Sequence, residues 1–78
     1  MYEYLNGRIS ELTPTYVVID CGGVGYLVNI SLQSYSLLEG KKEFSLFIHQ
    51  IVREDAHLLF GFASKEGREL FRQLMPLS

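Results

Sequence analysis

The densest chemistry in this chain lies in Ile51-Val52-Arg53-Glu54-Asp55-Ala56-His57-Leu58-Leu59-Phe60-Gly61-Phe62, where three consecutive charges stand between two apolar runs. The adjacent carboxylates of Glu54 and Asp55 could form a ligand site. On a projecting tip they could instead repel phosphates and so shape which nucleic acids can approach. A solvated turn is the plain alternative, because charged residues are ordinary in turns. Arg53 could balance the two carboxylates or meet a phosphate itself.

The remaining reactive side chains make no constellation. His49 and His57 flank the same charged tip, but a tetrahedral metal site needs further ligands, and none is suitably placed. They read as polar residues on a strand's outer face. Cys21 has no neighbouring base in sequence and reads as inert filler at a strand end. The glycines of Gly22-Gly23-Val24-Gly25 lack the lysine of a phosphate-binding loop and lead into a β-rich run, so hairpin geometry explains them better. No catalytic residue, metal or cofactor is implied, and the reading is a non-catalytic protein.

The elements that must hold the charged tip follow from periodicity. Residues 2–12 form an irregular apolar run with Gly7 as a candidate bulge or bend. Thr13-Pro14-Thr15 is a turn, and Tyr16-Val17-Val18-Ile19-Asp20 is a β-branched strand. Gly22-Gly23 supplies the positive φ angles of a tight hairpin into Val24–Ile30, where Gly25 is a second candidate bulge. Ser31 or Ser34 caps one or two turns of helix with Leu32, Tyr35 and Leu38 at helical spacing, stopped by Gly40.

A period of two resumes at Phe44, with Phe44, Leu46, Ile48 and Val52 on one parity. Leu58, Phe60 and Phe62 then form the apolar face of the last strand. A three-residue loop, Arg53 to Asp55, pairs position 52 with 56 and makes those two faces coincide. A four-residue loop puts Phe44 and Phe60 on opposite faces, since a one-residue slip turns over every side chain. The parity pattern favours three. Phe47, Ile51 and Leu59 then share the second face, which must also be covered. Ser64 caps a final helix with Glu66 in its first turn. Leu70, Phe71, Leu74 and Met75 mark its apolar face, and Pro76 ends it.

Five strands with a short helix between the third and fourth, plus a C-terminal helix, predict an all-β OB-fold, a five-stranded Greek-key barrel. An SH3-like barrel is the alternative that the position of the helix disfavours. Such barrels bind single strands on aromatic platforms or serve as protein-interaction modules. Tyr16 and Tyr26 are expected in the sheet, and the roles of Tyr2, Tyr4 and Tyr35 stay open.

Composition bounds the partners. With 78 residues, folding hides only roughly 60–65% of the unfolded surface. Hydrophobic residues at 47%, with five Phe and five Tyr, still supply a core. Seven basic against nine acidic residues give a net charge of −2. A domain that gripped nucleic acid alone would carry a basic excess. Here the nearest approaches to a cluster are Lys41-Lys42 and the set Lys65, Arg68 and Arg72. If the chain works on nucleic acid, something outside it must supply much of the phosphate grip. The single cysteine, with no signal-peptide pattern at Met1-Tyr2-Glu3-Tyr4 and no apolar run of roughly 18–20 residues, predicts a cytoplasmic protein.

Gly22-Gly23-Val24-Gly25-Tyr26, followed at the right distance by Val52-Arg53-Glu54-Asp55-Ala56-His57-Leu58-Leu59-Phe60-Gly61-Phe62, resembles the N-terminal domain of the RuvA family of bacterial Holliday-junction-binding proteins. Gly7-Arg8-Ile9 and Glu69-Leu70-Phe71 also fit, and the likeness covers essentially the whole chain. The resemblance implies an OB-fold in residues 1–63. It implies that residues 64–78 are the first helix of a truncated helix-hairpin-helix domain, the piece of a longer protein that would carry the phosphate grip. It also implies a homotetramer, in some states an octamer of two tetramers, around four-way junction DNA. The partner implied is the RuvB ATPase motor of a helicase complex, reached through a domain missing here, in branch migration during DNA recombination, DNA repair and the SOS response. Glu54 and Asp55 match the family's acidic pin near the junction crossover, with Arg53 flanking it.

Overall fold

In the computed structural model, which describes residues 2–74, each strand begins and ends where local turn chemistry directs. Strand β1 (Tyr4–Leu12) reaches β2 (Tyr16–Cys21) through a turn built on Thr13, whose hydroxyl accepts from the Tyr16 N–H at 3.0 Å. Strand β2 returns as β3 (Val24–Asn29) across Gly22 and Gly23, both at positive φ (64° and 98°). The Asp20 carboxylate accepts from the Gly23 N–H at 2.8 Å and completes that turn. Gly22 and Gly23 thus meet the primed-turn requirement that the sequence predicts.

Helix α1 (Leu32–Leu38) is capped by Ser31, whose hydroxyl accepts from the Ser34 N–H at 3.2 Å. Gly40, at φ 79°, follows its end. Strand β4 (Glu43–Val52), strand β5 (His57–Phe62) and helix α2 (Lys65–Leu74) complete the order. The strands close into a barrel in the order β1-β2-β3-β5-β4, the expected five-stranded OB-fold.

Closure depends on β1 serving two neighbours. Its first half, Tyr4 to Arg8, pairs with β4, and Arg8 to Leu12 pairs with β2. At the crossing, Gly7 lies against the β2 backbone so closely that a Cβ would stand 2.3 Å from the Asp20 carbonyl oxygen. Gly7 is therefore a close-approach glycine, and the bulge in β1 lies between Ile9 and Glu11. The β2–β3 ladder runs through Gly25 without a slip.

The core is Leu5, Val17, Ile19, Val28, Leu46, Ile48 and Leu59 from the strands, closed by Leu38 of α1. All are aliphatic, and each contributes about 1.5–3 kcal/mol by leaving water.

The register at the β4–β5 turn departs from the sequence expectation. Val52 lies opposite His57, not Ala56, so Arg53–Ala56 connect the two strands. Leu59 and Gly61 therefore point inward with Leu46 and Ile48, while Leu58, Phe60 and Phe62 lie on the outer face. Parity misled here because both faces of β5 are apolar. The outer one is covered by α2, where Phe71 stacks at 5.5 Å on Phe60 and 5.0 Å on Phe62. Gly61 replaces the expected inward side chain, since the barrel wall opposite leaves no room for one.

Helix α2 also presents a different face from the predicted one. Arg68, Phe71 and Arg72 turn to the barrel, whereas Leu70 and Leu74 are 58% and 76% exposed. Met75 and Pro76 lie outside the described residues. Ser64 caps the helix as expected, accepting from the Gly67 N–H at 3.0 Å.

Candidate nucleic-acid interface

The charged tip stands at the end of a two-stranded ribbon. The β1–β4 ladder ends at the Tyr4–Phe47 pair, with one further bond from the Ile48 N–H to the Glu3 carbonyl at 3.0 Å, and β3 meets β5 in register where Asn29 faces Phe60. Asn29 adds a side-chain bond from its Nδ2 to the Leu59 carbonyl at 3.1 Å. Beyond that point the pairs Ile51–Leu58 and Val52–His57 have no third strand paired with them among the described residues. At about 3.4 Å per residue, the ribbon carries the tip roughly 13 Å past its last barrel support.

Arg53 and Ala56 close the turn. The Arg53 N–H donates to the Ala56 carbonyl at 2.8 Å, and the Ala56 N–H donates back at 3.4 Å. The chain thus reverses within Glu54 and Asp55. No non-glycine residue among those described has positive φ, so this turn is not one of the primed types. Arg53, Glu54 and Asp55 are all exposed. None of the three enters an ion pair with any described residue. The two carboxylates are exposed, and no described cation neutralises them through an ion pair.

The base of the same hairpin is clamped by α2. Arg68 is 1% exposed, and its guanidinium reaches the segment before β1. Its Nη1 donates to the Glu3 carbonyl at 2.8 Å, and its Nη2 donates to the Glu3 carboxylate at 2.9 Å and to Glu69 at 3.1 Å. The guanidinium also lies 5.5 Å from the ring centre of Phe47 in β4, a cation–π contact. The bond from Arg68 holds the Glu3 carboxyl below its usual range, and the same bond raises Arg68. Beside it, Arg72 Nε donates to His49 Nδ1 at 3.2 Å, and Arg72 Nη1 donates to Glu69 at 3.2 Å. Burial, and secondarily the Arg72 charge, lowers His49.

The histidines therefore separate. His49 shares the outer face with Phe60, while His57 sits on the opposite parity opposite Val52. Among the described residues no three His, Cys, Asp or Glu side chains gather at metal-binding distance. Cys21 is half-buried, its thiol 3.6 Å from the Asn6 carbonyl.

Two of the three basic residues that resembled a cluster are committed to structure, Arg68 to Glu3 and Arg72 to Glu69 and His49. Several aromatic side chains are committed likewise. Tyr26 packs edge-to-face on Tyr2, Tyr16 donates to Glu11 at 2.6 Å, and Phe71 covers Phe60 and Phe62. The Glu3–Arg68–Glu69 network was missed by sequence reasoning. One signal for it existed: Arg68, Phe71 and Arg72 fall at i, i+3 and i+4, a stripe able to cover an apolar strand face.

Comparison with known sequences bears on the barrel as a whole. The sequence model of the RuvA N-terminal domain matches residues 1–61. The chain belongs to the RuvA family. Across all 78 residues it is 59% identical to a protein of Porphyromonas gingivalis and 53% identical to one of Bacteroides fragilis. A Streptococcus pyogenes relative is 37% identical over 79 aligned residues. Each bears the name Holliday junction branch migration complex subunit RuvA. The chain spans 39% of the length of these RuvA relatives.

Proposed function

We propose that this chain is the barrel domain of a non-catalytic, junction-binding subunit of a branch-migration complex, acting in recombination and repair in the cytoplasm. The observation that carries the reading is the unneutralised Glu54–Asp55 pair at the end of the unsupported ribbon, in a chain whose RuvA relatives are named for branch migration at Holliday junctions.

In this reading the pin repels. Four copies around one axis bring four Glu54–Asp55 pairs to the centre of an open junction. One charge pair at 4 Å contributes only about 1 kcal/mol in water and decays over a Debye length of roughly 8–10 Å. Summed at one centre, these terms disfavour an uninterrupted duplex running across it. An open junction places its phosphates around the centre instead, so selectivity comes from penalising the wrong partner. The same repulsion keeps exchanging strands apart, and Arg53 flanks the pin within reach of a phosphate.

The helix from Ser64 opens a following helix-hairpin-helix domain that holds the phosphate backbone. A further domain meets the RuvB ATPase, which supplies the work. The net charge of −2 and the internal pairing of Arg68 and Arg72 support placing the grip outside this chain. The single-strand-binding alternative is weakened by the aromatic side chains, since Tyr2, Tyr26, Phe60 and Phe62 pack against other rings.

The test is competition binding by the full-length protein at fixed salt among a four-way junction, a linear duplex and a poly-pyrimidine strand. The junction is expected to win by at least tenfold. Preference for the pyrimidine strand overturns the reading in favour of an ordinary OB-fold groove.

A further inference from the structure

We infer that the His49–Arg72 contact is a proton-sensitive latch between the pin-bearing hairpin and helix α2. The contact has a defined polarity. The Arg72 Nε–H donates to His49 Nδ1 at 3.2 Å, so His49 must be neutral, with its proton on Nε2. A doubly protonated imidazole has no acceptor to offer, and it would set its own positive charge against the guanidinium.

The surroundings leave little room for compromise. The His49 ring stands edge-on to Phe71, with centroids 5.4 Å apart, so the ring is fixed by packing as well as by Arg72. The charged groups acting on it come from α2: Arg72, Arg68 and, opposing them, Glu69. Glu69 is already shared between Arg68 and Arg72. From β5, the residue opposite His49 is Phe60, which carries no charge. From the segment before β1, Glu3 is engaged by Arg68. An added proton therefore meets two cations and one carboxylate that both cations already use. Burial and the two arginines lower His49, in keeping with this geometry.

The latch lies at a mechanical junction. His49 is on β4, four residues before the turn at Arg53, and Arg72 is in the last turn of α2. Protonation removes the only side-chain hydrogen bond joining the last turn of α2 to β4 among the described residues, while Arg68 still holds the first turns to Glu3. The helix then frays from its C-terminal end, and the direction of the hairpin relative to whatever follows α2 becomes loose. Stability from this group is fully present above the ordinary histidine range near 6.5. It is lost as pH falls through the lower folded value, because the unfolded chain takes the proton first.

The latch is a property of this domain whether or not the tip meets DNA, so it fails or stands separately from the pin. The test is hydrogen exchange on the full-length protein, corrected for intrinsic rates, between pH 7.5 and 5. Protection in Leu70–Leu74 is expected to fall at least tenfold, with protection in β2 unchanged. His49→Asn keeps an acceptor near the Nδ1 position without titrating, and it should flatten that dependence. NMR titration should place the proton of His49 on Nε2 at neutral pH. A His49 that titrates at or above the ordinary value, or His49→Asn with wild-type pH dependence, overturns the latch.

Discussion

Replacing Gly61 by alanine tests the barrel at its tightest point. With Val52 opposite His57, Gly61 faces the interior beside Ile48. A Cβ there would lie 2.6 Å from Val28 Cγ1 and 3.1 Å from Leu46 Cδ1. Both neighbours are core side chains, and Val28 and Leu46 are fully buried. Forcing an extra carbon into a packed core costs about 1–3 kcal/mol. Removing glycine's freedom in the unfolded chain returns about 0.4–1 kcal/mol, since Gly61 does not sit at positive φ. The net expectation is a loss of about 1–2 kcal/mol. For a domain of this size that is roughly a 4–15 °C drop in Tm. Urea unfolding followed by tyrosine fluorescence reads it as a lower midpoint at unchanged slope. Adding Val28→Ala should recover part of the loss, because it removes the atom that the new Cβ meets first. The three-residue loop suggested by parity puts Gly61 on the outer face, where alanine is harmless. Wild-type or greater stability of Gly61→Ala, with no coupling to Val28, would refute the observed register.

Two other expectations concern the clamp. Phe71→Ala removes the ring that covers Phe60, Phe62 and His49, and it should destabilise the attachment of α2 by about 2–4 kcal/mol, near the low end of aromatic truncations because Phe71 is half-buried. Proteolysis within α2 should accelerate while the barrel core stays protected. On the acid side, the Glu3 carboxyl is lowered from 4.5 by its bond to Arg68, so its contribution is present above that value and lost as pH falls through the folded one. Acid titration of wild type and Glu3→Gln should diverge above pH 4.5 and converge below. Parallel curves would remove Glu3–Arg68 from the acid response.

Much of the fold was legible because local chemistry was unambiguous. Gly22-Gly23 between two β-branched runs and Ser64 before α2 each specify their turn or cap without tertiary help, while for α1 the sequence left Ser31 and Ser34 open and the structure places the cap at Ser31. What failed was wherever a segment is covered on both sides. Strand β5 carries apolar residues on both parities, so the pattern alone could not distinguish the inward Leu59 from the outward Phe60. Gly61 hid the answer further, because an inward glycine looks like a gap in the apolar face. In α2 the exposed Leu70 and Leu74 outweighed Arg68 in a hydrophobicity count, although Arg68 is the buried residue. A guanidinium that finds a carbonyl, two carboxylates and an aromatic face can be buried, and no periodicity reports that. The positions of Glu54 and Asp55 at the turn were legible from the charge run between two strands. That no described residue forms an ion pair with them shows only in the folded chain.

In the proposed function Glu54 and Asp55 act by charge, and one comparison addresses that directly. Glu54→Gln with Asp55→Asn keeps the size and hydrogen-bonding capacity of both side chains while removing their charge. The measurement is the ratio of junction to linear-duplex affinity for the full-length protein and this variant at one salt concentration. Repulsion of the wrong partner predicts that duplex binding tightens more than junction binding, so that the ratio falls several-fold in the variant. Raising the salt should narrow the difference between the two proteins, because the pin is exposed to screening. An unchanged ratio, with unchanged branch migration, would contradict the claim that Glu54 and Asp55 select the junction.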